Sequence, residues 1–148
     1  MLTEFEQNCR SLGLQPVIIE VAAAEEFDNA ITEMLRQRAQ ALLVQADGLF
    51  YGNRVALLNA ALNHALPTIV AEKVMLGDGA LVYYGITDAE LSHRNAAFVD
   101  RILRGAKPAE LPIEQPAKFE LGINMKTAKA LGIIIPRTLL LRANEVIQ

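Results

Sequence analysis

Apolar side chains recur along this chain in two alternating rhythms, short unbroken runs and stripes at helical spacing. Thr3-x-x-Glu6 has the form of a capping box, with Phe5, Cys9 and Leu12 on one face of the following helix and Gly13 as its stop. After Pro16, the β-branched run Val17-Ile18-Ile19 predicts a strand. Phe27, Ala30, Ile31, Met34 and Leu35 fall at i, i+3, i+4, i+7 and i+8, which predicts a helix with one buried stripe. Ala41-Leu42-Leu43-Val44 is apolar on both faces, the pattern of a strand covered by helices on each side. A helix over 51–64 follows, burying Val55, Leu58 and Leu62, and then a strand over Thr68-Ile69-Val70. Beyond a segment through Met75 and a turn at Gly77-Asp78-Gly79, Ala80-Leu81-Val82-Tyr83-Tyr84 predicts another strand. Thr87-x-x-Glu90 is a second capping box, opening a helix that buries Leu91, Phe98, Ile102 and Leu103 and ends at Gly105.

Strands alternating with helices over short connections imply right-handed crossovers. The fold class is therefore α/β, a mostly parallel, doubly wound sheet with helices on both faces. After Gly105 the texture changes. Pro108, Pro112 and Pro116 interrupt 105–118, and no helix runs through them. A strand over 119–123 and a short helix over 126–131, stopped by Gly132, come next. In the tail, Leu139, Leu140 and Leu141 are adjacent and cannot share one helix face, so the tail is expected to pack between surfaces. The division that results is an α/β unit over 1–104, then a crossover strand with carboxyl-terminal helices over 105–148.

Composition narrows the function classes. A length of 148 residues fits one domain, and 52% hydrophobic with 21% charged residues describes an ordered chain. Fourteen basic against 17 acidic residues leave a net charge of −3 without a basic run, so no footprint for nucleic acid exists. No apolar stretch approaches the roughly 20 residues that span a bilayer. Met1-Leu2-Thr3-Glu4-Phe5-Glu6 lacks the basic region and apolar core of a signal peptide. Cys9 is the single cysteine, so no internal disulfide forms.

In an open parallel sheet, ligands sit beyond the carboxyl ends of the strands. Asp47, Glu72 and Tyr84-Gly85-Ile86-Thr87 fall there. Asp47-Gly48-Leu49-Phe50 joins a carboxylate, a flexible glycine and an aromatic ring; Asp47 serves equally as a helix cap or a ligand contact. Thr87 reads first as a cap, a role compatible with a binding turn. His64 ends a helix, where an imidazolium suits the dipole, and Cys9 lies on an apolar face. Two histidines and one cysteine at unrelated spacings do not make a zinc site, and no serine stands in a nucleophile elbow. No catalytic residue, metal or cofactor follows from the pattern.

The carboxyl third carries a longer ordered string. It runs Val99-Asp100-Arg101-Ile102-Leu103-Arg104-Gly105-Ala106-Lys107-Pro108-Ala109-Glu110-Leu111-Pro112, then Glu114-Gln115-Pro116, then Phe119-Glu120-Leu121-Gly122-Ile123-Asn124-Met125-Lys126-Thr127-Ala128-Lys129-Ala130-Leu131-Gly132, and finally residues 140–147. With Ala41-Leu42-Leu43-Val44, Asp47, Leu49-Phe50 and Tyr84-Gly85, this string resembles the ABC transporter substrate-binding proteins of the tryptophan/tyrosine type, which have the type I periplasmic-binding-protein fold. The resemblance implies two lobes that close on a small ligand, an amino acid or similar metabolite, for delivery to an ABC permease. It implies a periplasmic or lipid-anchored location and no catalysis. It places Asp47 and Phe50 on one cleft loop, and Tyr84, Gly85 and Thr87 on another. Gly48 stands where the family commonly has proline, and Thr87 where amino-acid binders often carry an acid.

The resemblance begins on the helix that follows the second lobe's opening strand, so the lobe is expected to lack that strand and to self-associate through the edge or through the leucine-rich tail. Two other readings remain: a cytoplasmic ligand-sensing or oligomerisation domain reusing the same lobe, and a small α/β enzyme with Asp47 as general base.

Overall fold

The β–α alternation produces one mixed, mostly parallel sheet in the computed structural model, which describes residues 2–112 and 118–148. Its strands, β1 (Leu42–Val44), β2 (Thr68–Val70), β3 (Val82–Gly85), β4 (Glu120–Asn124) and β5 (Glu145–Ile147), lie side by side in chain order. β1, β2 and β3 are parallel, with Leu42 opposite Thr68 and Ile69 opposite Val82. β4 runs antiparallel to β3, Tyr84 facing Leu121, and β5 runs parallel to β4. Eight α-helices accompany them among the described residues: α1 (Leu2–Ser11), α2 (Phe27–Arg36), α3 (Gly48–Gly52), α4 (Arg54–Asn63), α5 (Lys73–Gly77), α6 (Asp88–Leu103), α7 (Met125–Ala130) and α8 (Arg137–Leu140).

One face of the sheet holds the core. Leu42, Val44, Val70 and Tyr83 meet Phe27 and Ile31 of α2, Leu57, Leu58 and Ala61 of α4, and Met75 and Leu76 of α5. The α2 stripe therefore buries as its spacing requires. On the opposite face Leu43 of β1 is 50% exposed, so the cover predicted by its apolar run is incomplete there.

Four expectations need correction. Val17-Ile18-Ile19 belongs to no strand, because β-branched residues favour an extended backbone but cannot by themselves supply a hydrogen-bonding neighbour. The helix expected over 51–64 breaks at Asn53 into α3 and α4, which turns Leu57, Leu58 and Ala61 inward and leaves Val55 and Leu62 exposed. In α6, Leu91, Ile102 and Leu103 are exposed and Phe98 only half-buried, so among the described residues that stripe is not covered. The end of the tail is a strand, β5, rather than helix. Asn144 positions it: its N–H donates to the Leu121 carbonyl (2.8 Å), while its Oδ1 accepts from the Leu121 N–H (2.9 Å). The capping role expected of Thr3 and the break expected at Pro116 lie outside the described residues.

Candidate functional site

Because β1, β2 and β3 are parallel, the loops that leave their carboxyl ends share one sheet edge. Antiparallel β4 begins at that edge, where Glu120 pairs with Gly85. Asp47, Glu72, residues 84–87 and Phe119 are thereby gathered along it.

Asp47 caps α3: in extended backbone (φ −149°), its Oδ1 accepts the Leu49 N–H at 2.7 Å. The carboxylate is otherwise exposed. Phe50, one turn on, is half-buried against the core, its ring 6.0 Å from that of Phe27. Asp47 and Phe50 both line a cavity of about 930 Å³ that runs beside β1.

Tyr84, Gly85 and Thr87 lie along the same edge but do not line that cavity. The Tyr84 ring, 56% exposed, stacks on the 48%-exposed ring of Phe119, with centroids 5.4 Å apart and planes 13° from parallel. Gly85 passes so close to the β2 exit loop that a Cβ there would lie 2.4 Å from the Ala71 carbonyl oxygen. Only glycine fits. Thr87 accepts the Glu90 N–H on its Oγ1 at 3.2 Å and so caps α6. Glu90 completes no capping box, its carboxylate being engaged with Arg94 at 3.2 Å.

Between these loops, Lys73 Nζ bridges Glu145 (3.0 Å) and Glu120 (3.3 Å). The bonds to Glu145 and then Glu120 raise the ammonium pKa above its ordinary value, so Lys73 stays charged. This bridge ties the starts of β4 and β5 to α5. Neither it nor the Phe119 stack is legible in the sequence, because the partners are brought together only by strand order. The edge thus offers an exposed carboxylate, an exposed aromatic pair and a backbone approach at Gly85, a set suited to holding a small molecule. Elsewhere, His64 Nε2 lies 2.8 Å from Asp28 Oδ1, and His93 is exposed. Among the described residues no group of three or more His, Cys, Asp or Glu side chains could hold a metal ion, and no helix is long and apolar enough to cross a membrane.

The parallel strands with loops converging on one edge define a lobe of the periplasmic-binding-protein kind. The chain superposes on an ABC domain from Streptococcus pneumoniae solved in complex with L-Trp, with a TM-score of 0.86 and 25% identity over 99% of this chain and 50% of that one. A conserved domain protein from Vibrio cholerae O1 biovar El Tor shares the fold with a TM-score of 0.88 at 22% identity, over 98% of this chain and 49% of that one. So does a substrate-binding protein with adhesive properties from Clostridium difficile, in its ligand-free, open form, with a TM-score of 0.72 at 20% identity over 99% and 49%. The chain spans about half the length of these structures. No curated protein matches it. The family model for ABC transporter substrate binding proteins matches residues 2–147, and the chain belongs to that family.

Proposed function

We propose that the chain is the second-lobe portion of a solute-binding component of an ABC-type uptake system. In this reading it works outside the cytoplasm, binds rather than transforms its ligand, and presents that ligand to a permease. The ligand is a small metabolite, an amino acid or a similar molecule, held between this lobe and a second one. Asp47, Phe50, Tyr84, Gly85 and Thr87 form this lobe's share of the site. The single observation that carries the reading is their gathering, with Phe119, at the carboxyl edge of the three parallel strands. An exposed carboxylate there suits an ammonium group, and the stacked rings suit a flat apolar one.

A half-site loses the contacts that the other lobe contributes, so the isolated chain is expected to bind weakly. Titration calorimetry with L-tryptophan and a panel of other amino acids should give dissociation constants no tighter than about 1 mM. Micromolar binding by monomeric chain would show that the site has been misassigned. Within a two-lobed protein, Asp47→Asn and Tyr84→Ala should each weaken binding by about tenfold or more; unchanged affinity in both removes these residues from the site. We also infer that the isolated chain self-associates, since α6 leaves its apolar stripe and the tail leaves Leu141 exposed. Light scattering on dilute protein tests this, and a monomer at all concentrations rejects it.

A further inference from the structure

Two aspartates of the chain are followed directly by glycine, in Asp47–Gly48 and in Asp78–Gly79. In such a pair the glycine main-chain nitrogen can attack the aspartate carboxyl and close a five-membered ring, since glycine puts no Cβ beside that nitrogen and its backbone turns freely. The two pairs share this chemistry and have opposite surroundings. Asp78 and Gly79 are half-buried and fastened on several sides. Asp78 Oδ2 accepts from Arg54 Nε at 2.6 Å, the Gly79 N–H donates to the Leu76 carbonyl at 3.4 Å, and the Gly79 carbonyl accepts from Thr127 Oγ1 at 3.0 Å. Arg54 is itself held, donating to the Tyr51 carbonyl at 3.3 Å with its guanidinium 5.3 Å from the centre of the Tyr51 ring.

Asp47 and Gly48 are both exposed. Among the described residues, the Asp47 side chain has one hydrogen-bond partner, the Leu49 N–H at 2.7 Å, and the Gly48 N–H has none, being the first of α3. A Cβ on Gly48 would meet nothing within 4 Å, so the space about its nitrogen is open. Ring closure requires the Asp47 Cα–C bond to leave its ψ of 147°. The first turn of α3, closed by the Tyr51 N–H on the Asp47 carbonyl at 2.9 Å, must open for that rotation. α3 has five residues and buries none of them, so the opening is local and costs little. At Asp78 the same closure breaks the Arg54 pair and moves a turn that Thr127 ties to α7.

We infer that Asp47–Gly48 is a self-modification site, at which the folded chain slowly converts Asp47 to isoaspartate while Asp78 is spared. The Gly48 nitrogen forms a bond to Asp47 Cγ and one Cγ–O bond breaks. That oxygen leaves as water, with the amide proton and one proton from solvent. A second water then opens the succinimide. Breaking the N–Cγ bond restores aspartate, whereas breaking the bond from the nitrogen to the Asp47 main-chain carbonyl carbon gives isoaspartate, with the chain running through Cγ. Nothing is oxidised or reduced. The product carries one extra methylene in the main chain ahead of α3 and a carboxylate on a different carbon, so the Leu49 N–H loses its cap. This chemistry does not depend on what the sheet edge binds; where Asp47 contacts a ligand, the same change removes the contact.

The test ages the full chain for several weeks in warm neutral buffer, folded and, in parallel, unfolded in urea. Its peptides are then mapped by electron-transfer fragmentation, which cleaves isoaspartate at a Cα–Cβ bond that stays intact in aspartate. In the folded chain, isoaspartate from Asp47 should exceed that from Asp78 by about tenfold or more. In urea the two should approach equality, because the difference lies in their surroundings. Gly48→Ala, at a position with open space and no positive φ, should keep the fold and slow the conversion of Asp47 several-fold. A folded chain that keeps Asp47 intact, or converts both aspartates at one rate, overturns the inference. Conversion that Gly48→Ala leaves as fast overturns it too, as does a preference for Asp47 that persists unchanged in urea, since the fold then plays no part.

Discussion

The sheet is built to two standards. Around β3 and β4 everything touches: Tyr83, Leu76 and Ile123 are fully buried, and Gly122 is packed so closely that a Cβ would lie 2.5 Å from a Leu76 methyl carbon. Asn124 sews this region shut, donating from Nδ2 to the Leu76 carbonyl at 2.9 Å while its Oδ1 caps α7 through the Lys126 and Thr127 N–H groups. Around β1 and α6 the same types of residue stand open. Leu43 is half-exposed, and α6 forms 16 residues of helix without burying any of its described side chains. Local support comes from the Thr87 cap and the Glu90–Arg94 and Asp100–Arg104 pairs four residues apart. The contrast teaches that an apolar stripe predicts a buried face but not which polypeptide buries it.

The largest expected effect separates the two regions directly. Leu76→Ala should cost about 2–5 kcal/mol, because it empties a buried site that Gly122 cannot refill. In a chain of this length that lowers the melting temperature by about 4–20 °C. Leu103→Ala in α6, at an 81%-exposed position, should stay within about 0.5 kcal/mol. Equal losses in thermal unfolding would erase the distinction.

A smaller effect sharpens it. Asn124→Ala should cost about 2–3 kcal/mol, losing a cap and leaving the Leu76 carbonyl without its donor. Asn124→Asp keeps the capping oxygen but replaces the donor with a buried carboxylate oxygen facing the Leu76 carbonyl, so urea denaturation at neutral pH should find it at least as destabilised as the alanine variant. A clearly more stable aspartate variant would mean that the cap, and not the bond to Leu76, carries the effect.

The smallest effect belongs to an exposed patch of α2. The Arg36 guanidinium (2.7 Å), and after it the Gln37 amide, lowers the Glu33 carboxyl from its ordinary 4.5 to about 2. A depressed acid stabilises the fold fully above its unfolded value and loses that contribution as pH falls from 4.5 toward 2. Glu33→Gln should therefore make the low-pH limb of a circular dichroism titration slightly shallower in that window. An identical limb would show that the pair contributes nothing in solution.

Much of the fold was legible because its signals are local. The stripe from Phe27 to Leu35, the runs at Leu42–Val44 and Thr68–Val70, and the stops at Gly105 and Gly132, both at positive φ, follow from side-chain period and backbone sterics within a few residues. The candidate edge was legible in part: strand ends pointed to Asp47 and Tyr84, while Phe119 and the Lys73 bridge were invisible, their partners lying 35 and 47 or more residues away in sequence. The sequence by itself determined which segments extend, which coil and where they stop. Only the tertiary structure decided that Val17-Ile18-Ile19 would not be a strand, that β5 would be one, and that α6 would leave its apolar stripe exposed. Each of those outcomes depends on a neighbour, and hydrogen-bonding partners and packing surfaces are set by the whole chain rather than by the segment that needs them.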